Sequence, residues 1–240
     1  MDRTVYADQG FYFGIGAFET MALRHGSLQH LDLHLARLQR TLEFLKINRI
    51  VTEEMLMEYV QDCGRTEGVV KLVVTEKNMD LSTRDNTYTR ERYEAGFDVC
   101  LAPWMRNESS PFTYHKTLNH AENICAHQLA MKQHCDEALF CNTKGELCEG
   151  SCSNLFLIKN GRLYTPALDC GMLPGTMRAF LMQQEDVCEC HITPSELAEF
   201  EECFLTNSLM GIMRVNRIGE YVFSRGHIVQ ELQNKLVSKT

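Results

Sequence analysis

The segment NLFLIKNGRLY, Asn154 to Tyr164, carries the continuous apolar run Leu155-Phe156-Leu157-Ile158 and, after it, the dipeptide Asn160-Gly161. A two-residue hairpin turn needs positive φ at both central positions, which Asn-Gly tolerates better than almost any other pair. The segment therefore reads as a buried strand turning into a second one. Upstream, Glu137–Cys141 reads as a further strand and Leu118–Lys132 as a helix. Downstream, Thr193-Pro194-Ser195-Glu196 combines an N-cap threonine with proline at the first helical position, a start signal for a short helix. Cys203–Thr206 then predicts a strand, Arg214–Phe223 a hairpin turning near Gly219, and His227–Val237 a closing helix.

The first half has its own pattern. Leu31, Leu35, Leu38, Leu42 and Leu45 recur at alternating spacings of four and three, the stripe of an amphipathic helix over 28–46, with His34 and Arg37 off the stripe. Val69–Thr75 and Phe97–Ala102 are bounded by Gly68 and Gly96 and read as strands of a first sheet. RNESSP, Arg106–Pro111, is polar and ends in proline, so it reads as a linker. The division expected is a small α/β domain over 1–106, a linker over 107–111 and a larger domain over 112–240. The fold class is α/β, with mixed sheets.

Composition narrows the function. Of 240 residues, 24 are Lys or Arg and 32 are Asp or Glu, and the formal charge of -8 repels nucleic acid and anionic membranes. The 11 cysteines are an odd count with no C-x-x-C pair, so neither a disulfide framework nor a zinc ribbon is expected and a reducing, cytoplasmic setting is. The start MDRTVYADQGFYF lacks the apolar core of a signal peptide, and no apolar run suits a membrane span. Walker, G-x-G-x-x-G, H-E-x-x-H and G-x-S-x-G motifs are missing. Cys188, Cys190 and His191 cluster but lack a further ligand, so no metal is expected.

Six blocks stand out in order: GFYFGIGAFETM, HLDLHLARL, YHKTLNHAENICA, NTKGELCEGSCSNLFLI, LYTPALDCGMLPGTMR and ECFLTNSLMGIMRV. Together they resemble the fold-type IV family of pyridoxal-phosphate enzymes, from about Gly10 to Val215. The resemblance implies a two-domain fold like that of D-amino-acid aminotransferase, bound pyridoxal 5'-phosphate, a small-molecule amine substrate and a homodimer.

The resemblance also implies residue roles. Lys116 occupies the place of the lysine that bonds the cofactor aldehyde, and Glu149 that of the carboxylate facing the pyridine nitrogen, which keeps the ring an electron sink. Arg37 matches the arginine that grips the phosphate, for which a forked guanidinium is suited. Gly175 and Thr176 match the turn into a helix whose first N–H groups complete the phosphate cup. Asn207 and Ser208 match the other phosphate-side turn. Taken alone, each has an ordinary reading: a solvated lysine, a turn glutamate, a helix-surface arginine, or plain capping chemistry. The chain departs from the family in Met177, where a hydroxyl residue is usual, in Ile15, where aspartate is common, and after Lys116, where no tyrosine follows.

Family members share proton removal beside the substrate nitrogen and differ afterwards. Thr20 in the FET block matches the threonine of the lyase group, where it assists proton transfer. The expectation is conversion of 4-amino-4-deoxychorismate to 4-aminobenzoate and pyruvate, a step of folate biosynthesis. The alternative is amino transfer from branched-chain or D-amino acids to a 2-keto acid.

Overall fold

Two sheets organise the residues that the computed structural model describes, 4–237. One compact unit runs to Thr87 and takes back His115–His120; the other holds Tyr88–Tyr114 and the chain from Ala121 onward.

In the first unit, helix α1 (Gln9–Phe13) precedes strands β1 (Gly16–Arg24) and β2 (Ser27–Leu28), followed by helices α2 (Leu31–Phe44) and α3 (Glu53–Cys63) and strands β3 (Gly68–Thr75) and β4 (Met79–Arg84). The sheet order is β2-β1-β3-β4, with β1 antiparallel to β3 from Gly16↔Thr75 to Leu23↔Gly68. Alternation along β1 sends Ala17, Met21 and Leu23 into a core with Leu31, Leu38 and Leu42 of α2 and with Leu56 and Val60 of α3. The leucine stripe thus does what its spacing predicts, with Leu35 and Leu45 half-buried at its margin. Thr52 caps α3 by accepting the Met55 N–H.

The segment expected to begin a helix at Leu118 is extended there. Phe18 N donates to Lys116 O at 3.1 Å and Leu118 N to Gly16 O at 2.8 Å, so 116–118 lies along β1. The helix starts at Ala121, because Lys116–Leu118 is spent on pairing with that strand.

The second unit contains α4 (Arg90–Ala95), β5 (Phe97–Leu101), α5 (Ala121–Lys132), β6 (Glu137–Cys141), β7 (Leu147–Gly150), β8 (Asn154–Lys159), β9 (Arg162–Pro166), α6 (Thr176–Gln184), β10 (Val187–Cys190), β11 (Glu202–Asn207), β12 (Gly211–Ile218), β13 (Tyr221–Val222) and α7 (His227–Val237). Its sheet runs β10-β9-β8-β11-β12-β5-β6-β7, with β13 on β12 and β7 returning to β8. That return closes the central strands into a ring. Phe97, Val99, Leu139, Leu147, Leu155, Leu157, Leu205, Met213 and Val215 share one core, and Phe156, Ile158, Phe204 and Ile212 share another with Leu181 of α6 and Val229 and Leu232 of α7. The hairpin at Asn160-Gly161 has the expected positive φ of 52° and 74°.

Phe97–Leu101 corrects the sequence reading: it pairs in parallel with β12 and β6 in this second sheet rather than extending the first. Val99 is fully buried in its core, and such a distant partnership leaves no mark on local composition. The division of units accordingly falls at Thr87/Tyr88, not over 107–111, and Arg106–Pro111 belongs to the second unit. Among the described residues, no helix is long and apolar enough to cross a membrane.

Candidate active site

In the first unit, Glu19 sits on the core-facing side of β1, 1% exposed. Arg37 of α2 grips it twice, Nε to Oε1 at 2.8 Å and Nη2 to Oε2 at 2.6 Å, while His34 Nδ1 lies 2.6 Å from Oε2. Burial alone would raise the Glu19 carboxyl, but the Arg37 charge and hydrogen bonds, then those of His34, hold it at about 2. Burial lowers the His34 pKa, with the Arg37 and Lys116 charges adding to this against the raising effect of Glu19. His34 Nε2 is buried with no hydrogen-bond partner.

The opposite face of β1 carries Phe18 and Thr20. Lys116 Nζ lies 4.5 Å from the centroid of the Phe18 ring, and Lys71 Nζ 5.2 Å. Lys116 is half-buried, and its N–H points to Thr41 Oγ1 of α2 at 3.4 Å. Thr41 in turn donates to Arg37 O, so the backbone at Lys116 is tied to the turn of helix that carries the arginine.

In the second unit, Glu149 is buried near the end of β7. Between Cys141↔Leu147 and Leu139↔Gly150 the β6–β7 ladder shifts register, giving β7 an extra residue. Such a bulge re-aims a side chain that strict alternation would send elsewhere. Leu147 enters the ring's core, whereas Glu149 accepts from Arg106 Nη2 at 3.1 Å and from Leu173 N at 3.0 Å. Arg106 also donates to Glu122 at 2.7 Å and lies 4.0 Å from the Phe140 ring centroid. The turn after Glu149 is held by Glu137, a buried carboxylate of β6 that accepts from Ser151 N at 3.1 Å, Ser153 Oγ at 2.9 Å and the Ser151 hydroxyl. Its burial favours the neutral acid, but the hydrogen bonds converging on it outweigh that and lower its pKa.

Glu149 stands opposite Asn154 on β8, and Asn154 opposite Thr206 on β11. Asn154 Nδ2 donates to Leu173 O at 3.0 Å, and a Cβ at Gly175 would overlap Asn154 Oδ1, so the turn into α6 packs on this strand as only glycine allows. Gly175 is the N-cap of α6 and offers no side-chain cap to the first N–H groups, one of them that of Thr176. Thr206 Oγ1 is buried with no hydrogen-bond partner. A helix N-terminus with no side-chain cap and a buried hydroxyl without a partner suit an anionic group such as a phosphate, so these donors fit the expected cofactor.

The expected residues therefore fall into two sets. Thr20, Arg37 and Lys116 belong to the first unit; Glu149, Gly175, Thr176, Asn207 and Ser208 belong to the second. Asn207 Oδ1 accepts from Leu209 N and Met210 N at 2.9 Å each and its Nδ2 donates to Cys152 O and Tyr88 Oη, so its side chain builds the turn. Ser208 is half-buried beside it. Sequence reading missed Glu19, Glu137 and Arg106. Glu19 was legible as a carboxylate opposite an off-stripe His34 and Arg37, whereas Arg106 looked like part of a polar linker.

The profile of the amino-transferase class IV family matches residues 16–218. An aminodeoxychorismate lyase of Bacillus subtilis is 26% identical over 256 residues, covering 94% of this chain and 86% of its own. A D-alanine aminotransferase of Bacillus licheniformis is 25% identical, covering 97% and 92%. The crystal structure of 4-amino-4-deoxychorismate lyase from Pseudomonas aeruginosa superposes with a TM-score of 0.86 at 27% identity, over 99% of this chain and 96% of the other. The matched span holds every strand but β13 and every residue of the two sets above, and the chain belongs to the amino-transferase class IV family.

Proposed function

We propose that the protein is a pyridoxal 5'-phosphate-dependent lyase that converts 4-amino-4-deoxychorismate to 4-aminobenzoate and pyruvate. The observation that carries this choice is Thr20, whose side chain shares a face of β1 with Phe18, the ring over which Lys116 Nζ lies. A hydroxyl for the leaving group and an amine for the ring proton are thus offered on one surface.

Bound cofactor supplies an aldehyde for amines and a ring that accepts electrons. Lys116 would hold that aldehyde and, once its amine is free, would take the proton from the substrate carbon beside the nitrogen. Glu149, which accepts from Arg106 and the Leu173 N–H, would hold a proton on the pyridine nitrogen. Arg37, oriented by Glu19, is the phosphate-binding residue proposed in the first unit, and the first turn of α6 with Ser208 the phosphate-binding groups proposed in the second. Thr20 relays a proton to the methylene carbon of the departing enolpyruvyl group as its C–O bond to the ring breaks, so one proton leaves the ring and one is gained by pyruvate.

Amino transfer is the second reading, favoured by the full-length likeness to the B. licheniformis enzyme. Purified protein is incubated with 4-amino-4-deoxychorismate and, separately, with L- and D-amino acids plus a keto acid. Formation of 4-aminobenzoate is expected; amino-group exchange without it would overturn the lyase reading. The active form is proposed to be a homodimer in the cytoplasm. Phe11, Tyr12 and Phe13 are exposed side by side on α1, as at an interface, and all 11 cysteines are free thiols, as a reducing compartment keeps them.

A further inference from the structure

Glu146, Cys170 and His191 come from three separate stretches of the second unit, and their ligand atoms all lie within 4.8 Å of one another. His191 Nδ1 is 3.0 Å from Glu146 Oε1 and 3.5 Å from Cys170 Sγ. A tetrahedral ion with bonds of about 2.0–2.3 Å to nitrogen, oxygen and sulfur sets its ligands about 3.3–3.6 Å apart, close to the two separations that His191 makes. Each flanking group is also held from behind. Glu146 Oε2 accepts from Asn142 Nδ2 at 2.7 Å, which leaves Oε1 turned to the histidine. His191 Nε2 lies 3.5 Å from Asp169 Oδ1, the carboxylate–histidine arrangement that orients a metal-bound imidazole. Cys170 is buried, Glu146 half-buried and His191 exposed, so the cluster opens to solvent on the histidine side.

We propose that Glu146, Cys170 and His191 bind one borderline divalent cation of the zinc class, with water in the fourth position. A thiolate, an imidazole and a carboxylate are the donors such an ion prefers over the all-oxygen sets of magnesium or calcium. On binding, the Cys170 proton passes to solvent, and thiolate and carboxylate together balance the two positive charges. The ion acts as a clip: Glu146 leads into β7, which carries Glu149, and Cys170 leads into the loop that carries Leu173, whose N–H meets Glu149. Binding itself does not depend on the proposed reaction.

The test uses full-length holoenzyme stripped with a chelator and titrated with Co²⁺ as a zinc surrogate, read by its ligand-field bands, and with Zn²⁺ against a chromogenic competitor. One equivalent per chain, a tetrahedral Co²⁺ spectrum and a higher melting temperature with Zn²⁺ are expected. His191→Ala, an exposed position that leaves folding intact, and Glu146→Gln lose the bands. Asp169→Asn weakens binding by about 10-fold or more, the usual effect of removing a histidine's supporting carboxylate. Cys188→Ser leaves binding unchanged. A parent that takes up no metal, or a His191→Ala variant with the parent's spectrum and affinity, overturns the proposal.

Discussion

Glu149 and Asn154 face each other across the register pair that joins β7 to β8, and both hold Leu173 between them, one accepting its N–H and the other donating to its carbonyl. Closure of the ring, placement of the carboxylate and entry into α6 therefore share one anchor. A carboxylate at this point is both a strand-pairing residue and the charge proposed for the cofactor nitrogen.

Glu149→Gln separates those two duties. The amide retains shape and one acceptor, so the fold is expected to lose about 1–3 kcal/mol, the range for weakening hydrogen bonds to a buried charged group. Cofactor still binds, because Lys116, Arg37 and the α6 turn are untouched, yet turnover falls sharply. Cofactor titration beside steady-state activity checks this; parental turnover would show that the carboxylate in question lies elsewhere.

Glu19 has a different balance. It is enclosed with Arg37 and His34, and removing it strands a guanidinium in the core of the first unit. Glu19→Ala is expected to cost about 3–5 kcal/mol in denaturant unfolding, as for other broken buried pairs, and to raise the cofactor concentration needed for saturation. A variant with the parent's unfolding midpoint would remove Glu19 from the support of Arg37.

The same carboxylate makes an acid signature. Its folded value of about 2 lies below the ordinary 4.5, so as pH falls the unfolded chain takes up the proton first. The contribution is complete above about 4.5 and is lost progressively as pH falls through about 2. Stability measured across that window should decline less steeply in Glu19→Gln than in the parent; equal slopes would mean that other groups govern the acid limb.

How much of this the sequence could show depends on the reach of each signal. The leucine stripe of α2 and the Asn160-Gly161 turn are local, and both appear where their chemistry put them. Phe97–Leu101 was legible as a strand but not as a member of the second sheet, since its partners β12 and β6 lie far along the chain. Lys116, Glu149 and Arg37 were singled out through ordered blocks, not spacing. Arg106 and Glu137 were missed because a buried arginine in a polar stretch and a glutamate in a strand look alike in sequence to solvated ones; folding alone supplies Glu122, Glu149 and Phe140 to the first, and the 151–153 turn to the second.

Thr206 tests the proposed anion site from the protein's side. Its buried hydroxyl carries a desolvation cost of about 1–3 kcal/mol that no hydrogen bond offsets. Thr206→Val should leave cofactor-stripped protein as stable as the parent or more so, while weakening affinity for pyridoxal 5'-phosphate. A destabilised stripped variant with unaltered affinity would assign the hydroxyl to the fold instead.

The choice of reaction rests on Thr20. It is half-buried on the Phe18 face of β1, two positions from the ring that Lys116 overlies and opposite Lys71 on β3. If its hydroxyl delivers the proton that the departing enolpyruvyl group needs, its removal should cost what a general acid usually contributes, roughly a hundredfold or more. Thr20→Val keeps the shape and the β-branched backbone preference that suits a strand. Cofactor affinity and melting temperature should therefore match the parent, and the loss should fall on 4-aminobenzoate formation alone. Thr20→Ser, which restores the hydroxyl, should recover much of the rate, a rescue that a packing role would not give. A Val variant as fast as the parent would sink the assignment. A parent that makes no 4-aminobenzoate and exchanges amino groups instead would move the protein to the transaminase branch with Lys116, Glu149 and Arg37 still in their proposed places.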